Sequence, residues 1–239
     1  METLSALAVF ALLTVPLHVS IGKLRLEPLL GSSFDRPRPL VQTRADYTIA
    51  ASLYATIVTL VAFLNSGMSA HMIGIMAGLG TGASMAVWLS TLRGIGQSGA
   101  RLCEVAFGSG LSPLALGVFA SIALPLCFVA GLFSGGSFLA GAIFALAYGG
   151  GNGLLTIVRG TQPLVLFDLS SYGALTGRLT APSFFVSAAA PMIYANIIES
   201  AGNAAALYLS MALAGLAFGC SAILWWRFRP KVRPAVPLT

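Results

Sequence analysis

The sequence predicts an all-α, polytopic membrane protein with about seven transmembrane helices, and three observations carry that expectation. Apolar residues make up 57% of the 239 residues and charged residues 8%, against roughly 25% charged residues in an ordinary soluble domain. Mean hydropathy is +0.89. The apolar runs are long and rich in Ala, Leu and Gly, without the two-residue alternation of an outer-membrane barrel strand, so the spans are helical. At roughly 20 apolar residues per crossing, little chain is left for a soluble domain. The expected surroundings are a lipid bilayer.

Residues 4–20 form the first apolar run. Glu2 precedes it, no basic residue does, and no Ala-x-Ala site follows, so a retained helix is expected rather than a cleaved signal peptide. Residues 21–46 differ in kind, with Lys23, Arg25, Arg36, Arg38 and Arg44 set among Pro28, Pro37 and Pro39. This is a solvated basic loop. From residue 47 to 92 no formal charge occurs, which is too long for one span, and a break is expected at 66–69 or at 78–82. The first leaves Arg93 in a surface loop. The second gives helices over 47–76 and 83–107 and puts Arg93 inside the bilayer. The second is preferred, because Gly82, Ala86, Ser90, Gly94 and Ser98 carry a small-residue ridge straight past Arg93, and Arg93, Gln97, Arg101 and Glu104 form a stripe beside it.

The next span covers 113–133, with a kink expected at Pro125, and 134–136 is the turn. The following helix ends near 160. On it Tyr148, Asn152, Thr156 and Arg159 recur at helical spacing and stack on one side. Gly141, Ala145, Gly149 and Gly153 make an adjacent ridge that lets another helix come close. One flank therefore packs while the next faces something wet. Residues 161–175, with Pro163, Asp168 and Tyr172, read as a short interfacial segment. A helix over 176–198 is interrupted by Pro182 and Pro191 and carries Ser183, Ser187, Pro191 and Tyr194 along one side. After a turn at 199–203, the last span covers 204–226. Trp225 and Trp226 sit at the interface, with Arg227, Arg229, Lys231 and Arg233 beyond. The plan is thus a first transmembrane helix (1–20), a basic cytoplasmic loop (21–46), a six-helix bundle (47–228) and a basic cytoplasmic tail (229–239).

The net charge of +6 does not point to nucleic acid, because the basic residues sit where spans end and do not cluster with exposed aromatics. Basic residues fill the 21–46 loop and the tail, whereas 1–3, 79–81, 134–136 and 199–203 have none. By the positive-inside rule the N-terminus is expected outside and the C-terminus in the cytoplasm, in a cell inner membrane, with Arg101, Arg159 and Arg178 near the inner face. Cys103, Cys127 and Cys220 are odd in number and far apart; they are read as small apolar fillers, neither a disulfide framework nor a metal site.

The run G-N-G-L-L-T-I-V-R-G-T-Q-P-L-V-L-F over 151–167 resembles the end of the tenth transmembrane helix in a bacterial branch of the major facilitator superfamily. G-I-G-Q-S-G-A-R over 94–101 is similar to the G-x-x-Q-x-x-G-R of helix eight in that family. The resemblance implies that the second to seventh spans correspond to helices seven to twelve, the basic loop to the central cytoplasmic loop and residues 4–20 to helix six. It covers nearly all of this chain and about half of the family's length. Facilitators have two six-helix halves, each of inverted three-helix repeats, with solute bound near the midplane between them. What the resemblance implies is half of a secondary transporter, moving a small-molecule substrate by alternating access against a second six-helix bundle, either the N-terminal half or another copy. The chain departs from the family at Arg93, where an apolar residue is expected, and in the five helices that would precede residue 4. The competing expectation is a truncated, non-transporting remnant or a membrane scaffold.

Arg93, Gln97, Asn152 and Thr156 are the expected lining of the solute path. A charge at mid-span costs about 3 kcal/mol on insertion scales, so an intramembrane Arg usually faces a cavity or a partner. Gln97 and Asn152 either bond a solute or bond each other or a carbonyl across helices. For gating or coupling the candidates are His71, Arg101, Arg159 and Arg178. His71, near the outer end of its helix, is either a proton-coupling group or an interfacial residue, and Arg159 and Arg178 either gate or anchor helix ends at the headgroups, with Asp168 close enough in sequence to pair. Every acidic residue lies at a terminus, in a connection or at a helix end, so no buried carboxylate relay is expected. No nucleophile–base pair, metal-ligand cluster or phosphate loop is found, and neither enzyme activity nor a cofactor is expected.

Overall fold

The computed structural model describes residues 39–229. The expected first helix over 4–20, most of the basic loop and all of the tail beyond Arg229 lie outside the described residues.

Helix α1 spans Arg44–Met76, starting earlier than the expected residue 47 because Thr43 caps it: its Oγ1 accepts from the Asp46 N–H at 3.1 Å. Asp46 favours the positive end of the helix dipole and pairs with Arg227 at 2.9 Å. Arg44 and Asp46 are therefore helical, and the boundary between loop and bundle moves inward from 46. The α1 helix runs through Ser66 and Ser69 without interruption. The chain turns instead at Ala77–Thr81, where Gly80 and Gly82 take φ of 110° and 80°, a backbone that a side chain would resist. The break is thus the second of the two expected positions, and Arg93 falls within a helix.

Five helices follow: α2 (Ala83–Phe107), α3 (Pro113–Leu132), α4 (Phe138–Leu166), α5 (Tyr172–Ala201) and α6 (Asn203–Phe228). Ser112 and Ser137 cap α3 and α4 through the N–H groups of Ala115 and Ala140. The α4 helix does not stop near 160, and the expected interfacial segment over 161–175 shrinks to a 3₁₀ turn at Leu169–Ser171 between two long helices. The reason is packing: Gln162, Pro163 and Leu166 are all buried. Pro163 cannot donate to the Arg159 carbonyl one turn back, and the Tyr54 hydroxyl of α1 donates to that oxygen instead, at 2.7 Å. The helix survives its proline because a neighbour supplies the missing donor.

Among the described residues there is no strand. The α1 helix with its following turn, α3, α4, α5 and α6 are each long and apolar enough to cross a membrane; the protein is an all-α, multi-pass membrane protein. The α2 helix has similar length but carries Arg93, Arg101 and Glu104. Its depth follows from its neighbour. Leu89 packs at Gly141, the Arg93 backbone at Gly149 and the Gln97 backbone at Gly153, so α2 and α4 run in the same direction, side by side. This puts Arg93 level with Gly149, about 17 Å into a helix about 44 Å long.

The α1 and α4 helices run in opposite directions, with Tyr54 meeting Arg159 and Leu64 meeting Tyr148. The α4 helix packs chiefly on α2 and α3, α1 chiefly on α5 and α6, and α3 on α6. Exchanging each helix for the one three places along leaves this scheme of neighbours unchanged. Because the exchange swaps antiparallel helices, α1–α3 and α4–α6 form an inverted pair. Two apolar clusters hold it together. One, around Phe128, Phe144, Tyr148 and Tyr194, occupies the half nearer the Gly80 turn; the other, around Ala50, Leu114, Leu166 and Leu224, occupies the basic end.

Candidate functional site

Where α1, α4 and α5 part, the bundle holds a cleft of about 410 Å³. Its floor is apolar, with Ile57, Val58, Val61, Leu155 and Val158, while Asn65, Ser66, Ser69, Asn152, Thr156, Arg159, Gln162, Ser183 and Ser187 bring polar groups to it. Asn152 is 6% exposed and Gln162 1%; Ser69, Thr156 and Phe184 are exposed at the rim. Asn152 lies half-way along α4, about 21 Å from either end.

Four polar groups meet at mid-depth. Asn65 Oδ1 accepts from the Arg93 guanidinium at 2.5 Å and from Asn152 Nδ2 at 2.6 Å, so one amide oxygen of α1 ties together α2 and α4. Arg93 also donates to Ser69 Oγ at 3.0 Å and lies over the Tyr148 ring, 5.1 Å from its centroid. The Tyr148 hydroxyl in turn donates to the Leu64 carbonyl at 3.1 Å. A positive group inside a bundle must be solvated by something; here an amide, a hydroxyl and a ring face do it. Among the described residues no carboxylate lines the cleft, and the one charged lining residue is Arg159. The Arg159 guanidinium lies over the Phe184 ring, 5.7 Å from its centroid.

Asn152 and Thr156 thus line the cleft, with the Thr156 hydroxyl donating back to the Asn152 carbonyl at 2.9 Å. Arg93 stands behind Asn65 and touches the cleft through it. Gln97 is not among the lining residues: it sits where α2 presses on α4, its carbonyl within 2.6 Å of where a Cβ on Gly153 would stand. The stripe through Arg93 and Gln97 is therefore the face on which α2 meets α4. The small-residue ridge beside it ends outward, with Gly94 and Ser98 exposed and nothing within 4 Å of the Gly94 Cβ position. Arg101 reaches the Gly153 carbonyl at 3.4 Å. His71 Nε2 donates to the Pro191 carbonyl at 2.8 Å, beside the Tyr194 ring, and so belongs to the α1–α5 contact. Arg178 is exposed and has no hydrogen bond or ion pair among the described residues.

Sequence reasoning missed Asn65, Ser66, Tyr54 and Gln162. Asn65 left a signal: it is the sole side-chain amide between residues 47 and 92, with Ser69 one turn further on. Tyr54 left none, because nothing local shows that its hydroxyl reaches a carbonyl freed by a proline so far along the chain.

With the geometry in hand, comparison against protein-family models, curated proteins and solved structures gives no match to this chain.

Proposed function

We propose that this chain is a membrane transport component whose bundle forms one wall of a path for a small solute, in the manner of half a facilitator-type secondary transporter. The observation that carries the reading is the cleft: a groove of about 410 Å³ that gathers the buried side-chain amides Asn152 and Gln162 with Asn65 and several hydroxyls. Hydrocarbon offers such groups no partners, so a polar groove open at its rim is stable only against water, solute or another protein. Two further features support it. The inverted pairing of α1–α3 with α4–α6 is the internal repeat common among secondary transporters, and such proteins bind solute near mid-depth at the interface of their repeats. The motif over 151–167 resembles the facilitator superfamily and contributes Asn152, Thr156, Arg159 and Gln162 to the cleft. A second six-helix bundle closes the groove, and alternating access follows from rocking against it. Arg44, Arg227 and Arg229 gather at one end, which by the positive-inside rule is cytoplasmic, in a cell inner membrane.

The test is solvent access in the full chain. With Cys103, Cys127 and Cys220 replaced by Ala, Ser66→Cys and Thr156→Cys should react with a membrane-impermeant maleimide in nanodiscs, and Leu126→Cys, exposed on α3, should not. If Ser66→Cys and Thr156→Cys were as inert as Leu126→Cys, the groove would be dry and the transport reading lost.

A further inference from the structure

We infer that the cleft takes small soluble organic anions, a carboxylate or phosphate group pairing with Arg159. This deepens the reading of the cleft as a solute path and rests on it. Three observations converge. Among the described residues Arg159 is the one charged residue lining the cleft, and no acidic residue lines it. Its guanidinium has a ring face, Phe184, on one side but no carboxylate and no hydrogen-bond acceptor among the described residues, leaving a planar fork of donors for an oxyanion. Arg93, behind Asn65, is already occupied by Asn65 and Ser69, so it adds positive potential without competing for the anion. A cationic solute would meet the Arg159 guanidinium, with that of Arg93 behind Asn65, and no lining counter-charge among the described residues.

The remaining lining says what else the solute carries. Gln162, 1% exposed, spends its Nε2 on the Pro113 carbonyl at 3.4 Å and leaves Oε1 without a donor. Ser66, Thr156 and Ser187 add hydroxyls around the rim. A small anion bearing a hydroxyl or amino donor finds partners among these hydroxyls, which a purely apolar anion does not use. An anionic lipid headgroup offers the same oxyanion chemistry from a different source.

The experiment measures the cleft's choice of charge. The full-length, cysteine-free chain carrying Ser66→Cys is placed in phosphatidylcholine nanodiscs and modified in parallel with an anionic and a cationic methanethiosulfonate reagent of similar size. The anionic reagent should react faster, and Arg159→Gln should lower the anionic-to-cationic rate ratio at least about tenfold, while Arg159→Lys and Arg178→Gln preserve it. Should Arg159→Gln fail to fold, salt gives the same answer on the unaltered arginine: raising ionic strength from about 0.01 M to about 1 M cuts the screening length from about 30 Å to about 3 Å and should erase the preference. A ratio indifferent to Arg159 or to salt overturns the proposal. So does a preference abolished by adding phosphatidylglycerol to the nanodiscs, which assigns the arginine to lipid. Complete inertness of Ser66→Cys to both reagents defeats the path reading instead, so the two failures are distinct.

Discussion

Two flanks of α4, one residue apart in sequence, do opposite things. Gly149 and Gly153 face α2 so closely that its backbone occupies the space of a side chain. Tyr148, Asn152 and Thr156 face α1 and the cleft, where hydroxyls and amides have room and partners. In a bilayer, helices gain nothing from burying apolar surface against one another, so α2 must be held by close packing, which glycine permits. The same lipid makes every polar group on the other flank expensive unless it is satisfied. Close packing on one side and a polar groove on the other are therefore two consequences of one solvent, read by residues in alternate rows.

The comparison breaks most readily at the glycines. Gly149→Val should cost about 3 kcal/mol or more, since a Cβ there meets the Arg93 carbonyl and its Cα, backbone that cannot step aside. Thermal unfolding in detergent should show a large fall in Tm, with loss of monodisperse protein. Gly94→Ala, on the open side of the neighbouring helix, should instead leave Tm unchanged or raise it slightly, because Gly in a helix interior is roughly 0.5–1 kcal/mol worse than Ala. Equal losses at the two positions would show that the α2–α4 contact is not the tight one.

On the polar flank the expected effect is smaller. Asn65→Ala removes the acceptor shared by Arg93 and Asn152 and should cost about 1–2 kcal/mol, the upper range for interhelical hydrogen bonds in membranes. Asn152→Ala alone should cost less, and the double variant should fall short of the sum. Strict additivity in the unfolding free energies would mean that the two amides do not act as one unit.

The contrast between these flanks was legible in the sequence on α4, where both rows recur at helical spacing, but only half legible on α2. There the polar row through Arg93 and Gln97 was expected to line the solute path, and it proved to be the face that meets α4, while the small-residue row through Gly94 and Ser98 turns outward. What decides between them is the backbone of α2 nesting on Gly149 and Gly153, a property of the partner that α2 does not record. The glycine turn was legible because Gly80 and Gly82 are needed locally for positive φ. The end of α4 was not, because its continuation past Pro163 depends on a hydroxyl from α1. Of the cleft, Asn152 and Thr156 could be found from spacing; Gln162 could not, since it lies beyond where the helix was expected to stop.

That last dependence gives the finest test. Tyr54→Phe leaves the Arg159 carbonyl without a donor, because Pro163 has no N–H to offer, and should cost about 0.6 kcal/mol, near the average for such bonds in a membrane. Replacing Pro163 by Ala restores the backbone N–H and gives the carbonyl its helical partner. In that background Tyr54→Phe should cost almost nothing. The coupling between residues 54 and 163, read from a double-mutant cycle of unfolding free energies, isolates the bond because the tyrosine ring and its packing are retained in every arm. A cycle that closes with no coupling would mean that α4 tolerates its proline without help from α1, and that the basic end of the cleft is fixed by the packing around Leu166 alone.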